Sequence, residues 1–375
     1  MATADKLTTV AENVPKVYNA GLASLVNAMT NGGTDFTCAF ARYYTGESDE
    51  EGNPIQAPPL ITIPQIDTSK GTNFRYMFYN CDSLIAIPQL DVSKGTNFAN
   101  MFYNCMSITS IPQLDTSNGT NFRYMFQDCR NLNTITLSDT SKGRNFSYMF
   151  YNCQNLTTVS PLNTSNGVNF VCMFYQCHSL TAVPQLNTSN CTNFNSMFGY
   201  CKMLTSIPQI DTSKGTNFHG MFMSCTNLTS IPQLDTSKGS DFSNMFSACK
   251  NLTSIPSLDV SNGTTFNTMF HNCIKLTTIP QLDVSKGTNF ASMFGSSAKY
   301  GCESLTTISF VENCIGANIS FKFCEALSHA SLISILNGLK TVTSTKTCTL
   351  GATNLAKLTD EEKAIATQKN WTLAS

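Results

Sequence analysis

Sixteen cysteines in a 375-residue chain raise three chemistries: disulfides, metal ligation and thiol nucleophiles. Their spacing decides among them. Cys81, Cys105, Cys129, Cys153, Cys177, Cys201, Cys225, Cys249 and Cys273 stand 24 residues apart, at one position of a repeat. Cys302 joins this column once a five-residue insertion, SAKYG at 297–301, is allowed for. A periodic thiol fits a buried column of free cysteines, since Cys packs as a small hydrophobe. A zinc site lacks its ligand pattern: there is no CxxC pair, and only four histidines occur. Those four are His178, His219, His271 and His329. Three fall in different outward columns of different repeats, and no Ser/His/Asp or Cys/His spacing suggests a nucleophile. The DTSKGTN loop has the Asp of a calcium loop without its further carboxylates or bidentate Glu. The expectation is a non-enzymatic protein with no cofactor and no metal.

Composition narrows the partners. The net charge is −1 and 13% of residues are charged, which argues against nucleic acid. A hydrophobic content of 41% argues against disorder. The opening MATADKLTTVAENVPKVYNAG has no basic stretch followed by an apolar segment and cleavage site. No run of 18 apolar residues exists, so no membrane insertion is expected. With neither signal peptide nor transmembrane segment, the expected location is the cytoplasm by default. A virion, or the extracellular space after lysis, is the other route.

The elements that position these residues follow from the repeat. Ten units run from Leu60 to Ser304. Counted from each unit's first Leu or Ile, large apolar residues fall at positions 1, 4, 15, 18 and 19, and at 7 in nine units. Position 15 runs from Phe74 to Phe290, position 18 from Met77 to Met293, and position 19 from Phe78 to Phe294. Positions 15, 18, 19 and 22 have the spacing of one helical face and predict a two-turn helix. Positions 1 to 4, mostly LTSI or LTTI, predict a short strand, ended by Pro at position 5 in eight units. Between them Asp or Asn at 8 and Ser at 10 cap a turn. Gly at 12 is expected to supply φ > 0, and Thr or Asn after it to cap the helix. Cys191 replaces that Gly, which predicts local strain or a different turn at Asn190–Cys191. One unit's apolar side chains cannot offset the entropy of ordering its backbone, so units must stack.

The unit LTSIPQLDTSKGTNFxxMFxxCxx resembles the leucine-rich repeat of BspA-like bacterial surface proteins, most specifically in MFxxC after a DTS-type turn. The resemblance runs from Leu60 to Ser304. It implies a right-handed α/β solenoid with one short parallel strand and one short helix per repeat. It also implies adhesion or binding to host proteins. The missing export signal departs from that group. The opening and the ending LTDEEKAIATQKNWTLA are similar to repeat proteins of gut-bacterial prophages, which would explain the departure through lysis.

Residues 1–59 are expected to form an N-terminal cap. It would hold helices at about 4–14 and 16–29, a degenerate unit at 31–44 carrying Phe36 and Phe40, and an exposed acidic loop at 45–59. Residues 60–304 form the repeats and 305–375 an α/β cap. In that cap Ser328 starts a helix through Leu339, and Thr359 with Glu362 forms a capping box for a helix to about Asn370. Strands are expected at 348–350 and 371–373.

Recognition could be written at positions 16, 17, 20, 21, 23 and 24, which vary between units and point outward. In the N-terminal half they hold Arg75, Tyr76, Tyr79, Tyr103, Arg123, Tyr124, Tyr148, Tyr151 and Tyr175, and Arg130 is among them. Tyr and Arg are enriched in binding hot spots. The other reading is that Tyr covers gaps between neighbouring units. The opposite face carries Thr/Ser at 2 and 3, Pro at 5 and Gln at 6. It reads as a polar surface that keeps the sheet soluble, or as a ladder for an extended ligand. Together these point to a recognition protein with a protein or cell-surface glycan partner. The alternative is a scaffolding component that self-associates or binds an intracellular protein.

Overall fold

The computed structural model describes residues 33–41 and 60–375. The expected N-terminal helices and the acidic loop lie outside them. The chain divides into two compact units, Met1–Asn166 and Gly167–Ser375. Each is built from 24-residue coils whose Phe, Met, Leu/Ile and Cys columns are buried.

The segment expected to be helical is a run of tight turns. Within a coil, Met77 N–H donates to Phe74 O, Tyr79 to Tyr76 O and Cys81 to Phe78 O, each three residues back. The alternate amides leave the coil: Phe74 N–H donates to Asn97 O, Tyr76 to Ala99 O, Phe78 to Met101 O and Asn80 to Tyr103 O. An α-helix needs all these amides inside one segment. Here half of them tie each coil to the next. Positive φ at positions 17 and 21, as at Tyr76 (60°) and Asn80 (60°), interrupts any helix twice per coil. The same turns still send 15, 18, 19 and 22 inward, so the apolar spacing imitates a helical face.

The expected strand in every repeat is also corrected. Among the described residues of the first unit, strands form only at β1 (Thr134–Ile135) and β2 (Thr158–Val159), paired in parallel. These two repeats lack Pro at position 5. Ser160 N–H there donates to Ile135 O at 3.3 Å, the bond that proline denies elsewhere. In five of the eight repeats with Pro, Gln at position 6 bridges to the position-6 carbonyl of the next coil instead. Gln65 Nε2 donates to Gln89 O at 2.9 Å and Gln89 Nε2 to Gln113 O at 2.8 Å. Gln185, Gln209 and Gln233 repeat this in the second unit. The Gln face therefore works as a lateral cross-link.

Regular pairing runs instead through position 14. Asp35, Asn73, Asn97, Asn121 and Asn145 form consecutive parallel bridges in the first unit, as do Asn193, Asn217, Asp241, Thr265 and Asn289 in the second. Each Asx side chain caps the next turn: Asn73 Oδ1 accepts from Arg75 N–H at 3.2 Å. The position-8 Asp caps as expected, with Asp67 Oδ1 accepting from Ser69 N–H and Oγ.

Gly at position 12 has no positive φ. Its role is close approach: a Cβ on Gly71 would meet Phe74 Cζ at 2.3 Å and Phe36 Cδ2 at 2.9 Å. The expected irregularity at Cys191 is likewise absent. Cys191 is not among the positive-φ residues, and its N–H donates to Thr188 O at 2.8 Å, as Gly215 does to Thr212 O. Its thiol is accommodated in the interior, 3.3 Å from Asn193 O.

Phenylalanines stack from coil to coil. Phe36 and Phe40 head the two columns of the first unit, 5.5 and 5.4 Å from Phe74 and Phe78. In the second unit β3 (Thr278–Leu282) pairs with β4 (Thr307–Phe310), with an irregularity spanning Pro280. β5 (Ile319–Ser320), β6 (Lys346–Thr349) and β7 (Trp371–Ala374) form a parallel sheet in that order. Helix α1 (His329–Gly338) starts at Ser328, whose Oγ accepts from Ser331 N–H. Helix α2 is Ala352–Leu355, and α3 (Asp360–Gln368) begins with the Thr359/Glu362 capping box.

Candidate recognition surface

The cysteine column is inert as chemistry. Each thiol is buried and donates to the position-19 carbonyl of the preceding coil, as Cys105 Sγ does to Phe78 O at 3.2 Å. Burial pushes the Cys225 thiol up to about 12, and does the same to Cys348 in the C-terminal cap. None of the sixteen cysteines, all among the described residues, is in a disulfide. Among the described residues no group of three His, Cys, Asp or Glu could hold a metal ion.

One Ser–His–Asp meeting escaped the sequence reading, because its members lie in adjacent coils. His219 Nδ1 stands 2.7 Å from Ser243 Oγ, and Ser243 Oγ donates to Asp241 Oδ1 at 2.5 Å. The order is wrong for nucleophilic catalysis. The serine proton goes to the carboxylate, and the one nitrogen of His219 that faces the hydroxyl is also the one 4.0 Å from Asp241 Oδ2, so the imidazole does not bridge serine and carboxylate through its two nitrogens. Burial pushes the Asp241 carboxyl up, but hydrogen bonds from Ser243 and Thr265 outweigh it, so it lies below the ordinary value. The group is a capped turn.

Eight of the nine expected recognition residues lie in the first unit, where they form ring and guanidinium contacts. In the first unit Tyr79 stacks on Tyr103 at 4.8 Å, and Tyr76 meets Tyr79 edge-on at 5.3 Å. Tyr124 and Tyr148 lie at 4.8 Å, and Tyr148 and Tyr151 at 5.7 Å. Gln127 Nε2 reaches the Tyr103 hydroxyl at 3.4 Å. Burial pushes that hydroxyl up, with Asp128 adding to the effect. Tyr175 belongs to the second unit, edge-on to Tyr200 at 5.3 Å. All of these tyrosines are half-buried.

Arg75 and Arg123 form matching clips. Each guanidinium lies over the ring of the next residue, 4.6 Å from the Tyr76 centroid and 4.5 Å from that of Tyr124. Each also donates to that tyrosine's hydroxyl, at 3.0 and 2.8 Å. Both arginines are exposed, and neither has a carboxylate within ion-pair distance among the described residues. Arg130 differs, pairing with Asp128 at 3.6 Å.

Tyr76, Tyr124 and Tyr148 occupy position 17 at φ of 60°, 59° and 58°. Left-handed backbone is disfavoured for a non-Gly residue by about 1 kcal/mol and tolerated best by Asn and Asp. Other coils place Asn100, Asn244 and Gly220 there, and also Cys172, Ser196, Thr268 and Ser292. The fold therefore accepts cheaper residues at the sites where these tyrosines stand.

A sequence family described as "Mycoplasma protein of unknown function, DUF285" matches residues 60–158, 109–206, 133–230 and 201–308. These overlapping matches cover more than half of the chain, which belongs to that family. A search of curated proteins found no match. Among solved structures, a leucine rich cell surface protein from Faecalibacterium prausnitzii A2-165 is 16% identical, with a TM-score of 0.29, covering 67% of this chain and 87% of its own. A leucine-rich repeat protein from Bacteroides ovatus ATCC 8483 is 17% identical at the same TM-score, covering 72% and 80%. Among the described residues no helix is long and apolar enough to cross a membrane.

Proposed function

We propose that this chain is a non-enzymatic recognition protein and that the Tyr/Arg columns of its first unit contact a protein or cell-surface glycan. One observation carries the reading. Tyrosines stand at three left-handed positions of the first unit where other coils carry smaller residues (Asn, Gly, Ser, Thr or Cys), and two of them, Tyr76 and Tyr124, adjoin exposed arginines with no acidic partner among the described residues. Backbone strain of this kind persists where something else requires the side chain. Ring stacking offsets part of it, which is what the gap-covering role supplies. The exposed guanidiniums are what that role leaves unexplained. A BspA-like adhesive role, carried on a cell surface or as a virion accessory, belongs to the same proposal.

The test is a binding screen of the full chain against arrayed glycans and displayed surface proteins. A variant carrying Tyr79→Ala, Tyr103→Ala and Tyr151→Ala is screened in parallel. Loss of the captured partner with an unchanged circular dichroism spectrum is expected. Undiminished capture by the folded variant contradicts the site. Mass spectrometry of cytosol, surface and particle fractions adds the location, and strict confinement to the cytosol contradicts the adhesive role.

A further inference from the structure

The stretch NFRYMF occurs at 73–78 and again at 121–126. The two copies build the same Arg–Tyr clip, two coils apart in one unit. Neighbouring coils are joined by parallel backbone pairing, which sets a spacing of about 4.8 Å, so the clips stand about 10 Å apart along the stack. The intervening coil has no charge on these outward positions: it presents Tyr103, Asn104, Met106 and Ser107, with Ala99 and Asn100 buried. The face's other charged groups are Asp82, Asp128 and Arg130. Asp128 is engaged by Arg130, Gln127 and Asn152. Among the described residues Arg75 and Arg123 are thus two fixed cations without a carboxylate partner, separated by a neutral, tyrosine-lined step.

We infer that Arg75 and Arg123 hold successive acidic groups of an anionic β-linked polysaccharide lying along the coil stack of the first unit. Two β-linked pyranoses span the distance between the clips, so a polymer with one carboxylate per disaccharide places its charges in register. Tyr79 and Tyr103 offer ring edges and hydroxyls to the sugars between. An acidic peptide fits less well. Extended peptides dock by adding backbone pairs to an open edge, and here the amides of Phe74, Tyr76, Phe78 and Asn80 are already bonded to the next coil. A guanidinium held over a ring keeps its planar fork pre-organised for a carboxylate. This inference rests on the recognition reading and names its ligand class.

The experiment is calorimetric titration of the full chain with a hyaluronan octasaccharide, which alternates glucuronate and N-acetylglucosamine. Its carboxyl-reduced form and a poly-L-glutamate of equal charge are titrated alongside. The octasaccharide is expected to bind, and the reduced form and the polyglutamate to bind more weakly. Arg75→Gln and Arg123→Gln should each weaken binding about tenfold, and together about a hundredfold, from the loss of one charge-assisted contact apiece. Arg144→Gln removes an exposed cation from another column and should leave affinity unchanged. Equal binding of the reduced sugar, tighter binding of polyglutamate, or no effect of the double substitution overturns the inference. So does absence of octasaccharide binding. The tyrosine variant in the array screen still judges the recognition reading by itself, so the two failures are distinguishable.

Discussion

Replacing Tyr124 by Asn separates recognition from folding. Tyr124 sits at φ 59°, beside Arg123 at 4.5 Å and Tyr148 at 4.8 Å. Asn tolerates this backbone better, and Asn100 and Asn244 already occupy the position at φ 58°. Relief of left-handed strain returns about 1 kcal/mol. Loss of the aromatic pair removes about 1 kcal/mol and loss of the cation–π contact about 0.5–1 kcal/mol. The terms nearly cancel, and the expected net change is a loss of about 1 kcal/mol or less. Long repeat arrays need not unfold in one step, so the readout is native-state hydrogen exchange. The Met125 and Phe126 amides, bonded to Phe122 O and Met149 O, report the local stability. Partner binding should meanwhile fall about tenfold, the loss of one hot-spot side chain. A local destabilisation above about 3 kcal/mol, the scale of a core truncation, would show that Tyr124 holds the coil together, and the surface reading would fail.

Further outcomes follow from the interior. Thr212 Oγ1 donates to Asp235 O at 2.8 Å, whereas the buried Thr68 Oγ1 has no partner among the described residues. Thr212→Val should therefore lower local stability by about 1 kcal/mol and Thr68→Val raise it by a similar amount. Exchange at the Gly215 and Gly71 amides measures both, and shifts of the same sign would refute the assignment. Serine hydrogen bonds, first from the side chain, hold Asp67, Asp91, Asp115 and Asp139 below 3.8. Because the folded values lie below the unfolded ones, this stability is complete above 3.8 and is lost as pH falls through the folded values. A urea midpoint that is flat down to about pH 5 and falls below about pH 4 is expected; no fall by about pH 3 contradicts it. The thiols of Cys225 and Cys348, pushed up to about 12, should react with a disulfide reagent at pH 8 only after unfolding. Rapid labelling of the native chain would contradict the buried column.

The period, the Phe, Met and Cys columns and the Asx caps were legible because burial and capping act residue by residue. The helix was not, because inward spacing at 15, 18, 19 and 22 arises equally from helical turns and from consecutive tight turns. A signal was present: Asn or Asp at 80, 104, 128, 152 and 272 marks position 21 as left-handed backbone. Strand pairing was over-read where Pro was treated as ending a strand, when its missing N–H removes the ladder between coils. The buried Thr column at position 9, seen at Thr140, Thr188, Thr212 and Thr236, was missed because its partner is a carbonyl of the next coil. The candidate surface was legible as composition. The clips, the tyrosine stacks and the left-handed φ at Tyr76, Tyr124 and Tyr148 required coordinates.

Tyrosine footprinting of the full chain bound to intact cells tests the central claim most directly, since the second unit carries its own controls. Hydroxyl-radical labelling should show protection at Tyr79, Tyr103, Tyr124 and Tyr151, with Tyr200 and Tyr300 labelled as in the free chain. Protection confined to Tyr200 and Tyr300, or binding with no change at the first-unit tyrosines, would contradict it.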